Sequence, residues 1–298
     1  MRARERRARL PGFAITLLVT VLAMGCTRTN PVPSEGETTT HNAKISVKGS
    51  DTMVLLGQRW AEEYMTANPN VTVQVSGGGS GTGIAALING STDICQASRT
   101  MSDREKGELL AKRGAVAVET KVALDALAVY VNAKNPIHEI TLAALARAYK
   151  GEVTSWRELG GPDHAIVLYG RENNSGTYGY FKEHVLGGKD FAAATQTLAG
   201  TSAVVSAVKG DDFGIGYGGI AYAEGVHPLA VKKDESAAAI LPTLDTAQNN
   251  SYPISRFLYF YTAGEPLPAM KSFISWVTGD AGQKMITLVG YYPLPKKS

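Results

Sequence analysis

Residues 71–83 read Val-Thr-Val-Gln-Val-Ser-Gly-Gly-Gly-Ser-Gly-Thr-Gly, and this stretch decides the fold class. Its valines alternate with polar residues, which is the pattern of a β-strand. The Gly/Ser run that follows is typical of a turn, and Ile84, Leu87 and Ile88 then recur at helical spacing. The stretch therefore predicts a strand, a tight turn and a helix in succession.

The same unit precedes and follows this stretch. Residues 45–47 predict a strand, residues 49–52 a turn, and apolar residues from Met53 to Tyr64 at three- and four-residue spacing a helix. A third unit is predicted by a short strand at 93–95, a helix at 104–111 and a next strand at 116–118. Three successive units of this kind predict an α/β fold.

The rest of the chain predicts a second lobe. Residues 127–131, Leu-Ala-Val-Tyr-Val, are apolar on both faces, as a central strand would be, and residues 132–136 break them. Further strands are predicted at 166–169, 213–217 and 254–261, and helices at 141–149, 178–184, 270–277 and 281–289. The length suffices for two lobes. We expect lobe I at 43–131 plus 253–298 and lobe II at 132–252.

The N-terminus predicts export and a lipid anchor. Residues 1–25 combine a basic start with an apolar run too short to span a bilayer, which is typical of a signal peptide. Ala-Met-Gly-Cys at 23–26 resembles a bacterial lipobox, with Cys26 as the lipidated residue; the alternative is an ordinary secretory signal with an incidental cysteine. Residues 26–42 have no periodicity and predict a flexible tether.

The charge and the cysteines exclude other classes of protein. The formal charge is +3, and residues 1–25 contribute +4 (five Arg, one Glu), so the remainder carries −1 and does not indicate a nucleic-acid binder. With Cys26 lipidated, Cys95 has no partner for an intramolecular disulfide. Its apolar neighbours favour a core position over a nucleophile. No spacing of His, Cys and Asp predicts a metal site or a cofactor.

Pairs of hydroxyl residues recur at four predicted helix entrances: Ser50 and Thr52, Ser80 and Thr82, Ser98 and Thr100, Ser175 and Thr177. A helix entrance offers an anion free backbone N–H groups, the positive end of the helix dipole and a hydroxyl donor. Ser and Thr are also ordinary helix caps. Four such pairs together with Arg171 predict an oxyanion site.

At this point the motifs resemble a known family. The motifs are Gly-Ser-Asp-Thr-Met at 49–53, the Gly/Ser run at 76–83, Ala-Ser-Arg at 97–99, Arg-Glu-Asn-Asn-Ser-Gly-Thr at 171–177 and Gly-Ile-Gly-Tyr at 214–217. In this order they are similar to the phosphate-binding proteins of ABC-type phosphate uptake systems. The resemblance implies a two-lobed periplasmic-binding-protein fold with a hinge of two strands. It also implies a monomeric, extracytoplasmic protein that delivers inorganic phosphate to an inner-membrane ABC permease.

The resemblance also implies the ligand contacts: Thr52, the Met53 amide, Ser80, Ser98, Arg171, Ser175, Gly176 and Thr177. We add their neighbours Ser50, Asp51 and Arg99 as candidates. Asn173 stands where the family often has an Asp that orients the arginine, so a neutral partner for Arg171 is implied. Arg99 stands where better-known members have the Asp that accepts the ligand's proton. Asp51 is then the candidate acceptor, or else only a helix cap. Arg99 is either a second clamp or a solvated side chain.

Three alternative functions, and a nucleotide site at 214–219, are weighed against this interpretation. A hydrolase is disfavoured because Gly-x-Ser-x-Gly is absent and none of the histidines His41, His138, His164, His184 and His227 lies in a motif that suggests a base. Residues 214–219 satisfy Gly-x-Gly-x-x-Gly, but a strand packed tightly beside the cleft explains these glycines better than a nucleotide site. A binding protein for sulfate, molybdate or tungstate shares the fold and stays open because of Arg99. A sensory protein that has kept the fold is the third alternative, which the retained site residues disfavour.

Overall fold

The structure, a computed structural model, describes residues 42–295. The predicted signal peptide, Cys26 and all but the last residue of the predicted tether lie outside these residues. The strands are β1 (Ala43–Gly49), β2 (Val71–Ser76), β3 (Ile94–Ala97), β4 (Ala117–Val131), β5 (Glu139–Thr141), β6 (Val167–Arg171), β7 (Gln196–Leu198), β8 (Gly214–Gly219), β9 (His227–Pro228), β10 (Ala230–Lys232) and β11 (Ser255–Ala263). The α-helices are α1 (Val54–Ala67), α2 (Ser80–Asn89), α3 (Asp103–Arg113), α4 (Leu142–Tyr149), α5 (Gly176–His184), α6 (Thr201–Gly210), α7 (Leu244–Gln248), α8 (Pro268–Thr278) and α9 (Asp280–Val289).

The main sheet has the strand order β2-β1-β3-β11-β4-β8-β6-β7, with β9 paired to β4. β1, β2 and β3 run parallel and are called here the N-terminal strand group. β6, β7 and β8 also run parallel and are called the central strand group. Two antiparallel strands, β11 and β4, join the two groups. This arrangement is the predicted two-lobed α/β fold.

β4 changes its pairing partner along its length. Residues 117–126 pair with β11, whereas residues 127–131 pair with β8. The sequence predicted two separate strands here, at 116–118 and 127–131; the structure shows one strand of 15 residues. The prediction of two strands was wrong because the polar residues Glu119, Thr120 and Lys121 between them break the apolar pattern, although their backbones pair with β11.

Each strand group has its own hydrophobic core. Ile45, Trp60 and Phe260 are among the buried residues that pack α1, α8 and α9 against the N-terminal group. Tyr149, Phe181 and Tyr217 belong to a separate cluster on the central group. Cys95 is fully buried beside Ile84 and Leu109, as predicted, and burial raises the pKa of its thiol well above the ordinary value. Two cores on either side of β4 and β11 leave the polar residues between them to form a site.

Candidate functional site

Six predicted hydroxyl residues converge in the interior between the two strand groups, and all are buried: Ser50, Thr52, Ser80, Ser98, Ser175 and Thr177. Ser50 Oγ donates to Ser98 Oγ at 2.9 Å, and Ser80 Oγ lies 3.4 Å from Ser98 Oγ. Thr52 Oγ1 and Thr177 Oγ1 are 2.8 Å apart. The structure therefore brings together hydroxyl residues from four separate turns, which are called here the hydroxyl cluster.

The start of α5 presses directly against this cluster. Ser175 caps the helix, because its Oγ accepts the N–H groups of Thr177 and Tyr178 at 3.2 and 3.3 Å. A Cβ at Gly176 would overlap Ser80 Oγ and lie 2.7 Å from Ser98 Oγ. Only glycine lets the α5 backbone come this close to the hydroxyls of the N-terminal strand group.

Two of the predicted contacts have other roles in this structure. The Met53 amide donates to the Ser50 carbonyl at 3.0 Å and closes the 3-10 turn at Asp51–Met53, which immediately precedes α1. Ser98 and Thr100 do not begin a helix: α3 begins at Asp103 and is capped by Ser102. The prediction of a helix entrance at Ser98 was wrong because the Ser102–Glu105 capping box four residues later starts the helix.

Arg171 is the last residue of β6, and its side chain is almost fully buried (2% exposed). Nη2 donates to Asp51 Oδ2 at 2.7 Å and Nη1 to Thr201 Oγ1 at 2.9 Å. Nε has no partner among the described residues. Burial lowers the pKa of the guanidinium from its ordinary value and Asp51 opposes this, so the group remains charged. The Nε–H of Arg171 is thus a buried donor that is still available.

Asp51 rather than Asn173 is the acidic or amide partner of Arg171 among residues 42–295. Asp51 also accepts the Gly78 N–H on Oδ1 at 2.7 Å, and it does not cap the following turn. Asn173 is exposed. Its neighbour Asn174 binds the Gly/Ser run at 76–83. The Asn174 side-chain Nδ2 donates to Gly78 O at 3.1 Å, and the Asn174 backbone carbonyl accepts the Gly81 N–H at 2.8 Å.

Arg99 is held by Glu105. Its Nη1 and Nη2 donate to the two carboxylate oxygens at 2.9 and 2.8 Å, and Nη1 also donates to Thr100 O. The hydrogen bond to Glu105 raises the pKa of the Arg99 guanidinium. A bidentate pair of this kind neutralises the guanidinium, so in this structure Arg99 is neither a free clamp nor a solvated side chain.

Sequence analysis missed a second buried ion pair at the cluster. Arg256 of β11 donates from Nε to Asp125 Oδ2 at 2.9 Å, and Nη1 and Nη2 reach Ser98 O and Thr177 Oγ1, both at 3.1 Å. Burial raises the pKa of the Asp125 carboxyl, and Arg256 opposes part of that rise. The signal was present in the sequence: each charge interrupts an apolar strand, and a buried charge needs a partner.

The cluster is rich in hydrogen-bond donors. Its side chains are hydroxyls, two guanidinium groups and their carboxylate partners. Among residues 42–295, no three His, Cys, Asp or Glu side chains lie close enough to hold a metal ion. Arg171 also borders a cavity of about 260 Å³, but its lining combines the carboxylate of Asp190, which repels an anion, with Phe191 and the hydroxyl-bearing residues Thr195, Thr197 and Tyr217. The hydroxyl cluster is therefore the candidate site.

The predicted tight strand at 213–217 is confirmed as β8. All its residues are buried, and a Cβ at Gly219 would lie 2.9 Å from Thr52 Cγ2. Glycines are needed here because the strand packs against a site residue, which supports the packing interpretation over a nucleotide site. No helix within residues 42–295 has the length and apolarity needed to cross a membrane.

Two strand groups joined by two long strands, with a buried cluster of donors between them, define a two-lobed solute-binding protein. The model of the PBP superfamily domain matches residues 33–281. The phosphate-binding protein PstS of Pseudomonas aeruginosa is 36% identical over 273 residues, which cover 86% of this chain and 84% of that protein. The chain therefore belongs to the PBP superfamily and, within it, to the phosphate-binding protein family.

Solved structures agree with this assignment. A Clostridium perfringens protein crystallised with bound phosphate has a TM-score of 0.77 and 28% identity, and the match covers 85% of this chain and all of that one. An ABC-type phosphate transport receptor from Vibrio cholerae has a TM-score of 0.68 and 28% identity, and the match covers 84% of this chain and all of that one. The family predicted from the motifs is confirmed.

Proposed function

We propose that this protein binds inorganic phosphate in the hydroxyl cluster, outside the cytoplasm, and delivers it to the permease of an ABC transporter. Family membership supports this, and one observation in the structure carries it: the buried guanidinium of Arg171 keeps an unpartnered Nε, while its Nη2 binds Asp51, the residue between Ser50 and Thr52 of the cluster. A buried charged donor without a partner is costly, and an anion supplies that partner.

The ligand would exchange with contacts that the cluster now makes to itself. Thr52, Ser80 and Ser98 come from the N-terminal strand group, and Arg171, Ser175, Gly176 and Thr177 from the central group. The N-termini of α2 and α5 add their positive dipole ends. In this proposal Ser50, Asp51, the Met53 amide and Arg99 complete or support the site, with Arg99 acting through Glu105.

Closure of the two lobes around the anion would be the event that the permease recognises. The predicted lobes, 43–131 plus 253–298 and 132–252, meet at β4 and β11. The change of pairing partner between Ala126 and Leu127 favours a crossing inside β4, a few residues before the break at 132–136 that the sequence indicated.

Phosphate is favoured over sulfate, molybdate or tungstate if a carboxylate accepts the ligand's proton. Asp125 already receives the Arg256 Nε and Nη2 groups and the Ile220 N–H. Within residues 42–295, the Asp51 carboxylate receives two donors, Arg171 Nη2 and the Gly78 N–H. Each carboxylate oxygen has two acceptor positions, so Asp51 has more remaining capacity and is our candidate acceptor.

We further propose that the chain acts as a monomer, is anchored through lipidated Cys26 and the tether, and carries out no catalysis. The composition of the cluster supports the last point, because it offers hydroxyl donors without a histidine base. Mass spectrometry of the exported chain would detect the diacylglycerol modification of Cys26.

The test is calorimetric titration of the chain from Thr27 onward with phosphate, sulfate, molybdate and tungstate, on both sides of the second phosphate ionisation near pH 7. We expect tight binding of phosphate alone. Tighter binding of a fully ionised anion would assign a different ligand, and absence of binding to all four anions would refute the proposal.

A further inference from the structure

Arg256 occupies the junction between the two strand groups. It faces Asp125 directly across the β11–β4 pair, the two strands that join the groups. Its Nη1 donates to Ser98 O, which follows β3 of the N-terminal strand group. Its Nη2 donates to Thr177 Oγ1, on α5 beside the central group. One buried guanidinium (5% exposed) therefore contacts both sides of the site and the strands between them.

The bond to Thr177 determines what that hydroxyl can do. A guanidinium has only donors, so the Thr177 oxygen must accept the bond from Arg256. Thr177 keeps its own proton to donate, and Thr52 Oγ1 lies 2.8 Å away, where either hydroxyl can be the donor. When an anion enters the cluster, the same proton is available to an anion oxygen.

Arg256 also holds α5 through a second residue. The ring of Tyr180, three residues after Thr177, lies with its centroid 5.3 Å from Arg256 Cζ, within the range of a cation–π contact. The Tyr180 hydroxyl donates to Ser255 O at 2.7 Å, so the helix is bound to β11 at two adjacent residues. These contacts limit rotation of the helix turn that carries Thr177.

Asp125 balances the charge of Arg256. Its Oδ2 lies 2.9 Å from Nε and 2.8 Å from Nη2, and Oδ1 accepts the Ile220 N–H at 3.2 Å. The pair therefore places a strong donor against Thr177 without adding net charge to the site. The orientation of a hydroxyl, rather than attraction to a dianion, is what this pair can supply.

We propose that Arg256 is a positioning residue for ligand binding: it occupies one of the two acceptor positions of Thr177, so that this hydroxyl donates its proton to the ligand, and it couples closure of the site to the two joining strands. This inference rests on the proposed function. It also bears on specificity, because a donor at Thr177 favours an unprotonated anion oxygen at that position. The ligand's own proton then faces another residue, which is consistent with Asp51 as acceptor.

The experiment is a double-mutant cycle on the exported chain as the cell processes it, with phosphate as the titrant. Arg256→Lys keeps a positive charge to pair with Asp125. It loses the planar guanidinium whose two Nη atoms donate to Ser98 O and Thr177 Oγ1 at the same time. Thr177→Val removes the hydroxyl, and Thr177→Ser keeps it. Arg59→Lys, on the exposed surface beside Glu63, is the matched control. Dissociation constants and melting temperatures are measured for every variant.

We expect Arg256→Lys to weaken phosphate binding by about tenfold to hundredfold, the range for a hydrogen bond to a charged group. In the Thr177→Val background the same change should have less than about a twofold effect, and in Thr177→Ser the full effect should return. Arg59→Lys should bind as the wild type does.

Additive effects of Arg256→Lys and Thr177→Val, or a lower melting temperature with unchanged affinity, would overturn the inference and leave phosphate binding intact. A wild-type chain that does not bind phosphate would refute the proposed function itself. If Arg256→Lys does not fold, the neutral pair Arg256→Gln with Asp125→Asn replaces it in the cycle, with the same expected dependence on the Thr177 hydroxyl.

Discussion

Arg171 and Asp51 are 120 residues apart in the sequence, and their side chains form an ion pair of 2.7 Å. Arg171 ends β6 of the central strand group, and Asp51 follows β1 of the N-terminal group. The pair therefore joins the two halves of the site directly. It also leaves Arg171 Nε unpartnered among the described residues, oriented by bonds on both of its Nη atoms.

Replacing Arg171 by Ala should weaken phosphate binding by about a hundredfold or more, because a buried charged donor is lost. The fold should persist, since Asp51 is 19% exposed on its side chain and keeps its bond from Gly78 N–H. Calorimetry gives the affinity and thermal denaturation the stability. Arg157→Ala, whose pair with Asp163 is 75% exposed on both side chains, is the control. Unchanged affinity in Arg171→Ala would show that the site lies elsewhere.

Asp51→Asn should lower the affinity for phosphate more than that for sulfate, because an amide group at this position accepts a ligand proton less well than a carboxylate. The ratio of the two dissociation constants is the measurement. Asp163→Asn at the surface controls for the loss of one negative charge. An equal loss for both anions would mean that Asp51 serves only to orient Arg171.

Gly176→Ala should abolish phosphate binding without unfolding the chain. The added methyl group would overlap Ser80 Oγ, so α5 can no longer approach the hydroxyls of the N-terminal strand group. Gly107→Ala is the control: Gly107 lies in α3 with no atom within 4 Å of the added Cβ. It should bind normally and gain roughly 0.5–1 kcal/mol of stability. Normal binding by Gly176→Ala would exclude this approach of α5 from the binding mechanism.

Asn174→Ala should speed phosphate dissociation by about three- to tenfold, because the side chain's bonds to Gly78 O and Thr82 Oγ1 hold the two sides of the site together. The bond from Gly81 N–H to the residue's carbonyl remains. Stopped-flow displacement measures the rate. The exposed neighbour offers a matched control: phosphate should dissociate from Asn173→Ala at the wild-type rate. Equal dissociation rates in the wild type and both variants would show that the Asn174 side chain does not hold the two sides of the site together.

His227 should make stability depend on pH. Its Nε2 lies 3.0 Å from His138 Nδ1. Burial, and to a smaller extent repulsion from His138, lowers the pKa of His227 below its ordinary value. As the pH falls, the unfolded chain therefore binds a proton at His227 before the folded chain does. The contribution of neutral His227 to folding stability is present above about pH 6.5 and is lost as the pH falls through the folded pKa. The melting temperature of His227→Asn should fall less on acidification than that of the wild type. An identical fall in melting temperature in both proteins would show that His227 does not contribute to the pH dependence of stability.

Local signals predicted much of the fold. The Gly/Ser turns after β1 and β2, and the helices that follow them, depend on residues within a few positions of one another, and they lie close to the predicted bounds. Arg171 and Ser175–Thr177 were likewise found from one motif. The helix α6 was missed, because its apolar residues are confined to a short Ala/Val segment after Gly200 and no side chain caps its N-terminus. With it was missed Thr201, whose hydroxyl accepts a hydrogen bond from Arg171.

What the sequence by itself determined is the order of strand, turn and helix units and the residue types offered at each turn, since both follow from short-range spacing. The tertiary structure alone decided the partners. Asp51 rather than Asn173 pairs with Arg171, Glu105 holds Arg99, and Arg256 reaches Thr177. The physical reason is that charged and hydroxyl groups bind whichever partners the sheet order brings within about 3 Å, and that order places β11 and β4 between segments far apart in the chain.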